Sequence, residues 1–403
     1  MTINPYSFNV PGTVIGRSPA APVQPKAEEV PRPREMDLER GINFYADYSG
    51  CGFWRMIWPE HILNAYQKMV VHGTTVMCFD DNWYGYCKTI RIQRQATPGQ
   101  LQFVKYIRSI CDKHNIKLIY EIDDIVFKED IPHYNKFRGA FTDPSIRESA
   151  QAIMSMCDEI TVTCDFMREY YMAKTGHKNI TVIPNYMPKF WMGHCYDEKA
   201  VGRNFEKNKK KPRILYPGSG AHFDVDNRVK QKDDFGHVVE DVIKSRKKYQ
   251  WVFLGGYPKL VEGYIRSGEM EFVPWMHLYD YPQAVSNLNP NVIVAPLCNN
   301  TFNKAKSDLK YIEAGAFGIP AVCQDIETYQ NAPYRFTSGA EMIDQIDAVT
   351  ADKSTYMKIG RAGNRVAQTR WLENSDNIDK YLELYSYPYA DPRRLLLNKQ
   401  NNL

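Results

Sequence analysis

The sequence predicts an α/β protein made of two doubly wound, Rossmann-like parallel-sheet domains that face a central cleft. Three observations carry this prediction. Short apolar runs alternate with longer amphipathic stretches from Gly41 to Asn185, the alternation lapses in an irregular and basic stretch, and a second alternating series begins at Arg213. Strands separated by helices pair in parallel, because each crossover helix returns the chain to the same end of the sheet, and such sheets are covered on both faces. A length of 403 residues with 43% apolar side chains suits two domain-sized cores.

Residues 1–39 hold Pro5, Pro11, Pro19, Pro22, Pro25, Pro31 and Pro33 among small and charged residues. Such a composition buries too little apolar surface to offset ordering, so this stretch reads as a disordered arm, either a solvated tail or a segment that docks on a partner. The first domain is expected over 40–185, with strands at 42–46, 74–79, 116–122, 159–163 and 180–184 and helices at 54–70, 98–114, 145–157 and 166–175. Residues 186–212, ending in Lys207, Lys209, Lys210 and Lys211, read as an irregular linker. The second domain is expected over 213–375, with strands at 213–216, 251–254, 270–273, 292–296 and 319–323. Its helices are expected at 231–247, 281–288, 304–317 and 339–346, and a last helical stretch at 354–385 carries the chain back toward the first domain before a polar tail closes 376–403.

Composition narrows the setting more than the function. A net charge of +4 and a pI near 8.4 permit a polyanionic partner without requiring one. Nine cysteines, an odd number with no Cys-x-x-Cys pair, read as reduced thiols rather than a disulfide framework or a zinc site. No basic stretch leads an apolar core at the start, and no apolar run reaches the 18–20 or so residues that span a bilayer, so a cytoplasmic protein without a membrane span is expected.

In doubly wound sheets, ligands bind beyond the carboxyl ends of the strands. The richest such loop is 295–320, Ala-Pro-Leu-Cys-Asn-Asn-Thr-Phe-Asn-Lys-Ala-Lys-Ser-Asp-Leu-Lys-Tyr-Ile-Glu-Ala-Gly-Ala-Phe-Gly-Ile-Pro. A helix starting near Asn303 places Lys306, Lys310 and Glu313 on one face and Leu309, Ile312 and Ala316 on the opposite one. Its first turn, with free N–H groups and the cations of Lys306 and Lys310 beside Ser307, makes a cradle for a diphosphate, and Glu313 one turn deeper accepts from two ribose hydroxyls. A solvated face in which Glu313 pairs with Lys310 fits the same spacing.

The whole string resembles the donor-binding segment of retaining GT-B glycosyltransferases. The likeness rests on a strand ending in Ala-Pro-Leu, a Phe-Asn loop, Lys-Ser-x-x-Lys-x-x-Glu and a closing Gly-Ile-Pro. It implies nucleotide-sugar contacts for Asn303, Lys306, Ser307, Lys310 and Glu313. Lys306 would neutralise a leaving diphosphate in a metal-independent, retaining transfer from a UDP-sugar, with no further cofactor. The chain departs from the commoner Glu-x7-Glu pattern at Ala305, where a sugar-contacting carboxylate is absent. The same resemblance covers Gly218, Ser219 and His222, in a glycine turn after the first strand of the second domain, as phosphate-loop residues. It also implies that Trp275 and Met276 flank the base, though core packing of Trp275 fits as well.

In the first domain, Gly50, Gly52, Trp54 and Arg55 follow the first strand and resemble the family's entry loop, so an acceptor-facing role is implied. Asp123 and Asp124, after a later strand, are implied in acceptor orientation or acid–base help, with a turn cap as the alternative for Asp124. Asn185 is expected to serve a turn. For the acceptor, the leading expectation is 5-hydroxymethylcytosine in double-stranded bacteriophage DNA. Lys207 to Lys211, Arg91 and Arg94 would then meet phosphates, and Trp54, Trp58 or Trp83 an extruded base. A surface polysaccharide, a lipid-linked sugar or a protein is the alternative acceptor, and a non-catalytic nucleotide-sugar- or nucleic-acid-binding protein is the alternative class.

Overall fold

The computed structural model describes residues 39–224 and 232–386. The expected proline-rich arm, up to residue 38, and the tail from residue 387 lie outside the described residues.

Two six-stranded parallel sheets form the frame. The first takes β1 (Arg40–Phe44), β2 (Val70–Thr74), β3 (Thr89–Gln93), β4 (Lys117–Glu121), β5 (Glu159–Val162) and β6 (Ile180–Val182) in the order β2-β1-β3-β4-β5-β6. The second takes β7 (Arg213–Pro217), β8 (Gln250–Gly255), β9 (Glu271–Pro274), β10 (Val292–Ala295), β11 (Ala321–Gln324) and β12 (Arg335–Phe336) in the order β12-β11-β10-β7-β8-β9. Helices cover both faces, so every residue of β3, β4, β5, β10 and β11 is buried. This is the doubly wound α/β class expected from the sequence. Both sheets lie in one compact unit.

Each sheet reverses its strand order once, between β1 and β3 and between β7 and β10. At such a switch point the loops leave the sheet in opposite directions and open a crevice beyond the strand ends. The loops that follow β1, β3, β7 and β10 are therefore the ones placed to build a site.

Several expected elements differ in extent, for identifiable reasons. Strand β3 was not expected, because Thr-Ile-Arg-Ile-Gln reads as polar; each of its polar side chains finds an internal partner, with Arg91 paired to Glu121, the Thr89 hydroxyl donating to the Tyr385 carbonyl at 2.7 Å and the Gln93 amide donating to the Cys51 carbonyl at 3.1 Å. The strand expected at 74–79 lies instead at Val70–Thr74, leaving Val76 and Phe79 exposed. The helix expected at 54–70 is wound in three pieces from Gly50 to Ala65, the middle one, Phe53–Ile57, a wide π-type turn. Within the expected linker, Asp197 caps a regular helix, Glu198–Asn208. In the stretch expected as helix 231–247, only Val239–Ser245 is helical among the described residues, since Asp233 and Asp234 turn inward and hold loop N–H groups instead. The stretch expected as one helix to residue 385 breaks after Gln368, where Met187 and Trp371 form a short parallel bridge, and resumes as Ser375–Tyr385. That last helix packs on the first sheet: Tyr385 donates to Asn43 and Lys117 donates to the Leu384 carbonyl at 2.9 Å.

Candidate functional site

The crevices at the two switch points meet in a cavity of about 280 Å³. From the first half it is lined by Gly50, Cys51 and Trp54 after β1, by Arg94 after β3, by Asp123 and Asp124 after β4, and by Asn185. From the second half come Gly218, Ser219 and His222 after β7, Leu254 at the end of β8, Trp275 and Met276 after β9, and Lys306, Ser307, Lys310 and Glu313 after β10. Most residues singled out in the sequence therefore line one cavity, although they come from seven different loops.

The local geometry shows why these segments can meet. The N–H of Gly218 donates to the Leu254 carbonyl at 2.9 Å, laying the glycine loop over the end of β8. There Gly255 adopts φ +94, and a Cβ on it would stand 2.8 Å from the Gly218 carbonyl oxygen and 2.9 Å from the Trp275 ring. Only glycine allows both the backbone shape and the approach.

The single helix expected from Asn303 is in fact two. Asn300 caps a short turn, Thr301–Lys304, the chain unwinds through Ala305, Lys306, Ser307 and Asp308, and a second helix runs Leu309–Ala316. The break is held by side chains: the Thr328 hydroxyl donates to the Asn303 carbonyl, Arg370 grips Asp308 with two bonds of 3.0 Å, and the Asn185 amide donates to the Ser307 hydroxyl at 3.1 Å. Lys306 and Ser307 thus reach the cavity from a loop, and Lys310 and Glu313 from the helix behind it.

Every cation in the cavity faces an acid. Lys306 Nζ stands 3.1 and 3.0 Å from the two oxygens of Asp124 in the other half. Arg94 bridges the same acidic pair, with Nε 2.6 Å from Asp123 and a guanidinium nitrogen 3.5 Å from Asp124. Burial pushes the Glu313 carboxyl up to about 7, against a 2.8 Å hydrogen bond from the Tyr281 hydroxyl and the attraction of Lys310. Burial also holds the Lys310 ammonium below its ordinary value, though Glu313 and Asp234 favour its charge. His222 donates or accepts through Nδ1 at 2.8 Å from Asp234, and burial followed by the repulsion of Lys310 keeps the ring below its ordinary value.

Three expected site residues take other roles. Arg55 is fully buried rather than aimed at the cleft, because the wide turn at Phe53–Ile57 directs it inward. Its Nε lies 2.6 Å from Glu121, and Nη1 donates to the Ile183 carbonyl at 2.5 Å and to Asn185 at 2.9 Å. A charge held without water needs such partners, so Arg55 is an internal clamp. Asn303 is also fully buried, its amide donating to the Tyr134 hydroxyl at 3.1 Å and the Cys298 carbonyl at 2.9 Å. Gly52 lies outside the cavity lining; a Cβ there would meet the Asp47 carbonyl at 2.0 Å, so it serves the turn.

The residues expected to meet DNA fare differently. Arg91 is fully buried against Glu121, and Trp54 and Trp58 are buried in an aromatic cluster with Trp191, so none of these three is exposed to a duplex. Arg94 is committed to Asp123. Trp83 is 39% exposed and is absent from the cavity lining, while Lys207, Lys209 and Lys210 are exposed and Lys211 is half-buried, as at a solvated helix end. Trp275, by contrast, is 57% exposed on the cavity wall, so it does not pack in the core.

Sequence reasoning missed Tyr281 and Asp234, and it gave Asn185 only a turn. Tyr281 orients Glu313, Asp234 orients His222, and Asn185 ties the Arg55 clamp to Ser307. The sequence signals were faint: Tyr281 adjoins the expected base loop, whereas Asp234 sat inside an expected helix.

Among the described residues, no group of three or more His, Cys, Asp or Glu side chains is placed to hold a metal ion, and no helix is long and apolar enough to cross a membrane.

No protein-family model and no curated protein sequence matches the chain. Among solved structures it is similar to Anabaena Alr3699/HepE, a protein solved in complex with UDP, at 8% identity and a TM-score of 0.56, over 86% of this chain and 98% of that one. It is more distantly similar to a UDP-forming alpha,alpha-trehalose-phosphate synthase from Burkholderia xenovorans, at 11% identity and 0.47, over 74% and 73% of the two chains. A third is Phytolacca americana UGT2, solved with UDP-2-fluoro-glucose and pterostilbene, at 8% and 0.44, over 87% and 99%. The fold likeness rests on the Anabaena protein, and the fold class is GT-B.

Proposed function

We propose that the chain transfers a sugar from a UDP-sugar to a hydroxyl acceptor. The observation that carries this reading is the convergence of Lys306, Ser307, Lys310, Glu313 and the Gly218-Ser219 loop on one cavity at two facing switch points. The Anabaena protein of the same fold was solved with UDP, which supports uridine diphosphate as the nucleotide.

In this reading the diphosphate lies against Lys306, Lys310 and the glycine loop, whose charges and N–H groups offset the negative charge that grows on the leaving group. Glu313, oriented by Tyr281, accepts from the ribose hydroxyls. Trp275 and Met276 flank the base. Asp123 and Asp124 line the same cavity from the first half, and in this reading they orient the acceptor hydroxyl. Two lysines supply the charge that a metal ion supplies elsewhere, so a metal-independent transfer is proposed; the retaining outcome rests on the resemblance of segment 295–320. The proposal stops at a hydroxyl acceptor. A 5-hydroxymethylcytosine in DNA has no geometric observation in its favour, since Arg91, Trp54 and Trp58 are buried.

The test is calorimetric titration with UDP, followed by incubation with a panel of UDP-sugars and analysis of released UDP. Binding that is weakened in Lys306→Ala, together with donor turnover, is the expected result. No binding of UDP by the wild-type protein overturns the reading.

A further inference from the structure

We propose that His222 engages the donor diphosphate as an imidazolium, taking up a proton as the nucleotide enters, with Asp234 as its positioning residue. This rests on the donor-site reading above.

The geometry begins with Asp234. One carboxylate oxygen lies 2.8 Å from His222 Nδ1. The other accepts from the Tyr134 hydroxyl at 2.6 Å and the Cys298 N–H at 2.9 Å, and the Asn303 amide donates to it as well. These donors come from three separate segments, and Tyr134 belongs to the other half of the molecule. A carboxylate so surrounded is strongly favoured as the anion. Burial works to raise Asp234, and the bonds from His222, Tyr134 and the Cys298 N–H outweigh it, so Asp234 sits below the usual carboxylate range.

An anionic partner at Nδ1 fixes the proton there, leaving Nε2 on the opposite side of the ring. His222 lines the donor cavity beside Gly218 and Ser219, facing Lys310 and Lys306, with Glu313 deeper in the same cavity. The charged groups around the ring are thus Asp234 at one nitrogen and the two lysines across the cavity. Without an anion, burial and the lysines disfavour a third cation, and the ring is neutral with a lone pair at Nε2.

A bound diphosphate reverses that balance. Its negative charge offsets the lysines and supplies an acceptor for an Nε2–H, so the ring gains a proton from solvent and makes a charge-assisted hydrogen bond. No bond other than this N–H forms. The linkage has a definite sign: affinity for UDP falls as pH rises between the free and bound titrations of His222, by at most about tenfold per pH unit. Below the free titration the ring is already charged, and the dependence vanishes.

The experiment measures UDP binding near pH 7.5 in buffers of different ionisation heats, for the wild type, His222→Gln, His222→Arg and Asp234→Asn. Proton uptake is expected to be larger in the wild type than in His222→Gln. His222→Arg, with a permanent cation, should bind UDP without that uptake and lose the His222 part of the pH dependence. Asp234→Asn should reduce the uptake while the ring remains in place. Its melting temperature shows whether it folds, and if it does not, the two His222 variants decide. Equal uptake in wild type and His222→Gln overturns the proposal and leaves the donor site standing. Absence of any UDP binding by the wild type overturns both.

Discussion

Lys306 has to leave Asp124 before it can meet a diphosphate, because both Asp124 oxygens lie within 3.1 Å of its ammonium. Both side chains are partly open to water, so the pair itself contributes little, about 0–1 kcal/mol. Asp124→Asn is therefore expected to tighten UDP binding by roughly 0.5–1 kcal/mol, a gain that should disappear when Lys306 is Ala. Weaker binding of UDP by Asp124→Asn would show that Asp124 assists the donor instead. Lys306→Ala alone should weaken UDP by about 1.5–3 kcal/mol, as loss of a charge-assisted hydrogen bond does. Glu313 adds a pH term of opposite sign to that of His222. Its carboxyl, pushed up to about 7 by burial, is protonated below that pH, and ribose hydroxyls favour the ionised form. The Glu313 contribution to UDP affinity should thus rise with pH to about 7 and then level off, and Glu313→Gln should flatten this limb in a titration series. At this scale the sequence brought out charged residues that line the cavity, such as Asp123 after β4 and Lys310 on the helix that follows β10. It misplaced Arg55 and Asn303, both expected at the site, because their burial depends on Glu121 and on Tyr134, far away in the chain.

Elements with strong local signals appear where the sequence placed them. Pro98–His114 carries a full capping box at Thr97 and Gln100, and Tyr281–Leu288 begins with Pro282 in its first turn. Both starts are coded by neighbouring residues, so no tertiary information was needed. Segment 295–320 is the opposite case. Its pattern of Lys306, Lys310 and Glu313 suits a continuous helix, and only Arg370, Thr328 and Asn185, each remote in sequence, reveal the break at Ala305 to Asp308. The helix Leu309–Ala316 is then fixed by close packing against Lys353–Gln368. A Cβ on Gly360 would lie 2.1 Å from the Gly318 carbonyl oxygen, and one on Gly315 2.5 Å from the Gly363 carbonyl oxygen. Backbone atoms cannot step aside as a flexible side chain can. Gly360→Ala is therefore expected to lower stability by about 1–3 kcal/mol, the range for overpacking, and, by shifting Leu309–Ala316, to weaken UDP as well. Denaturant unfolding and calorimetry read the two effects; a variant as stable as the wild type would show that the two helices are free to separate.

The molecule as a whole is tied across its cleft by side chains rather than by a shared sheet. Lys306 meets Asp124 and Asn185 meets Ser307 at the cavity, Tyr134 meets the buried Asp234, and the last helix crosses back so that Tyr385 donates to Asn43 and accepts from Thr89. Such ties are beyond a reading of local pattern, which finds the two series of elements but not the contacts between them. They imply that a nucleotide held mostly by the second half must also stabilise the first. UDP at a hundred times its dissociation constant should raise the free energy of cooperative opening by about 2.7 kcal/mol, and backbone N–H groups of β3 and β4, which touch no part of the expected donor site, should share that gain in hydrogen exchange. Protection confined to β7, β8 and β10 would mean that the halves open independently and that the ties across the cleft are too weak to couple them. Tyr385→Phe separates these possibilities further. It leaves the buried Asn43 without one donor, at a cost of about 1–3 kcal/mol, in a place remote from the nucleotide. In a coupled molecule that loss should appear equally in the exchange of β7 and β10, whereas in an uncoupled one it should stay within β1 and its neighbours.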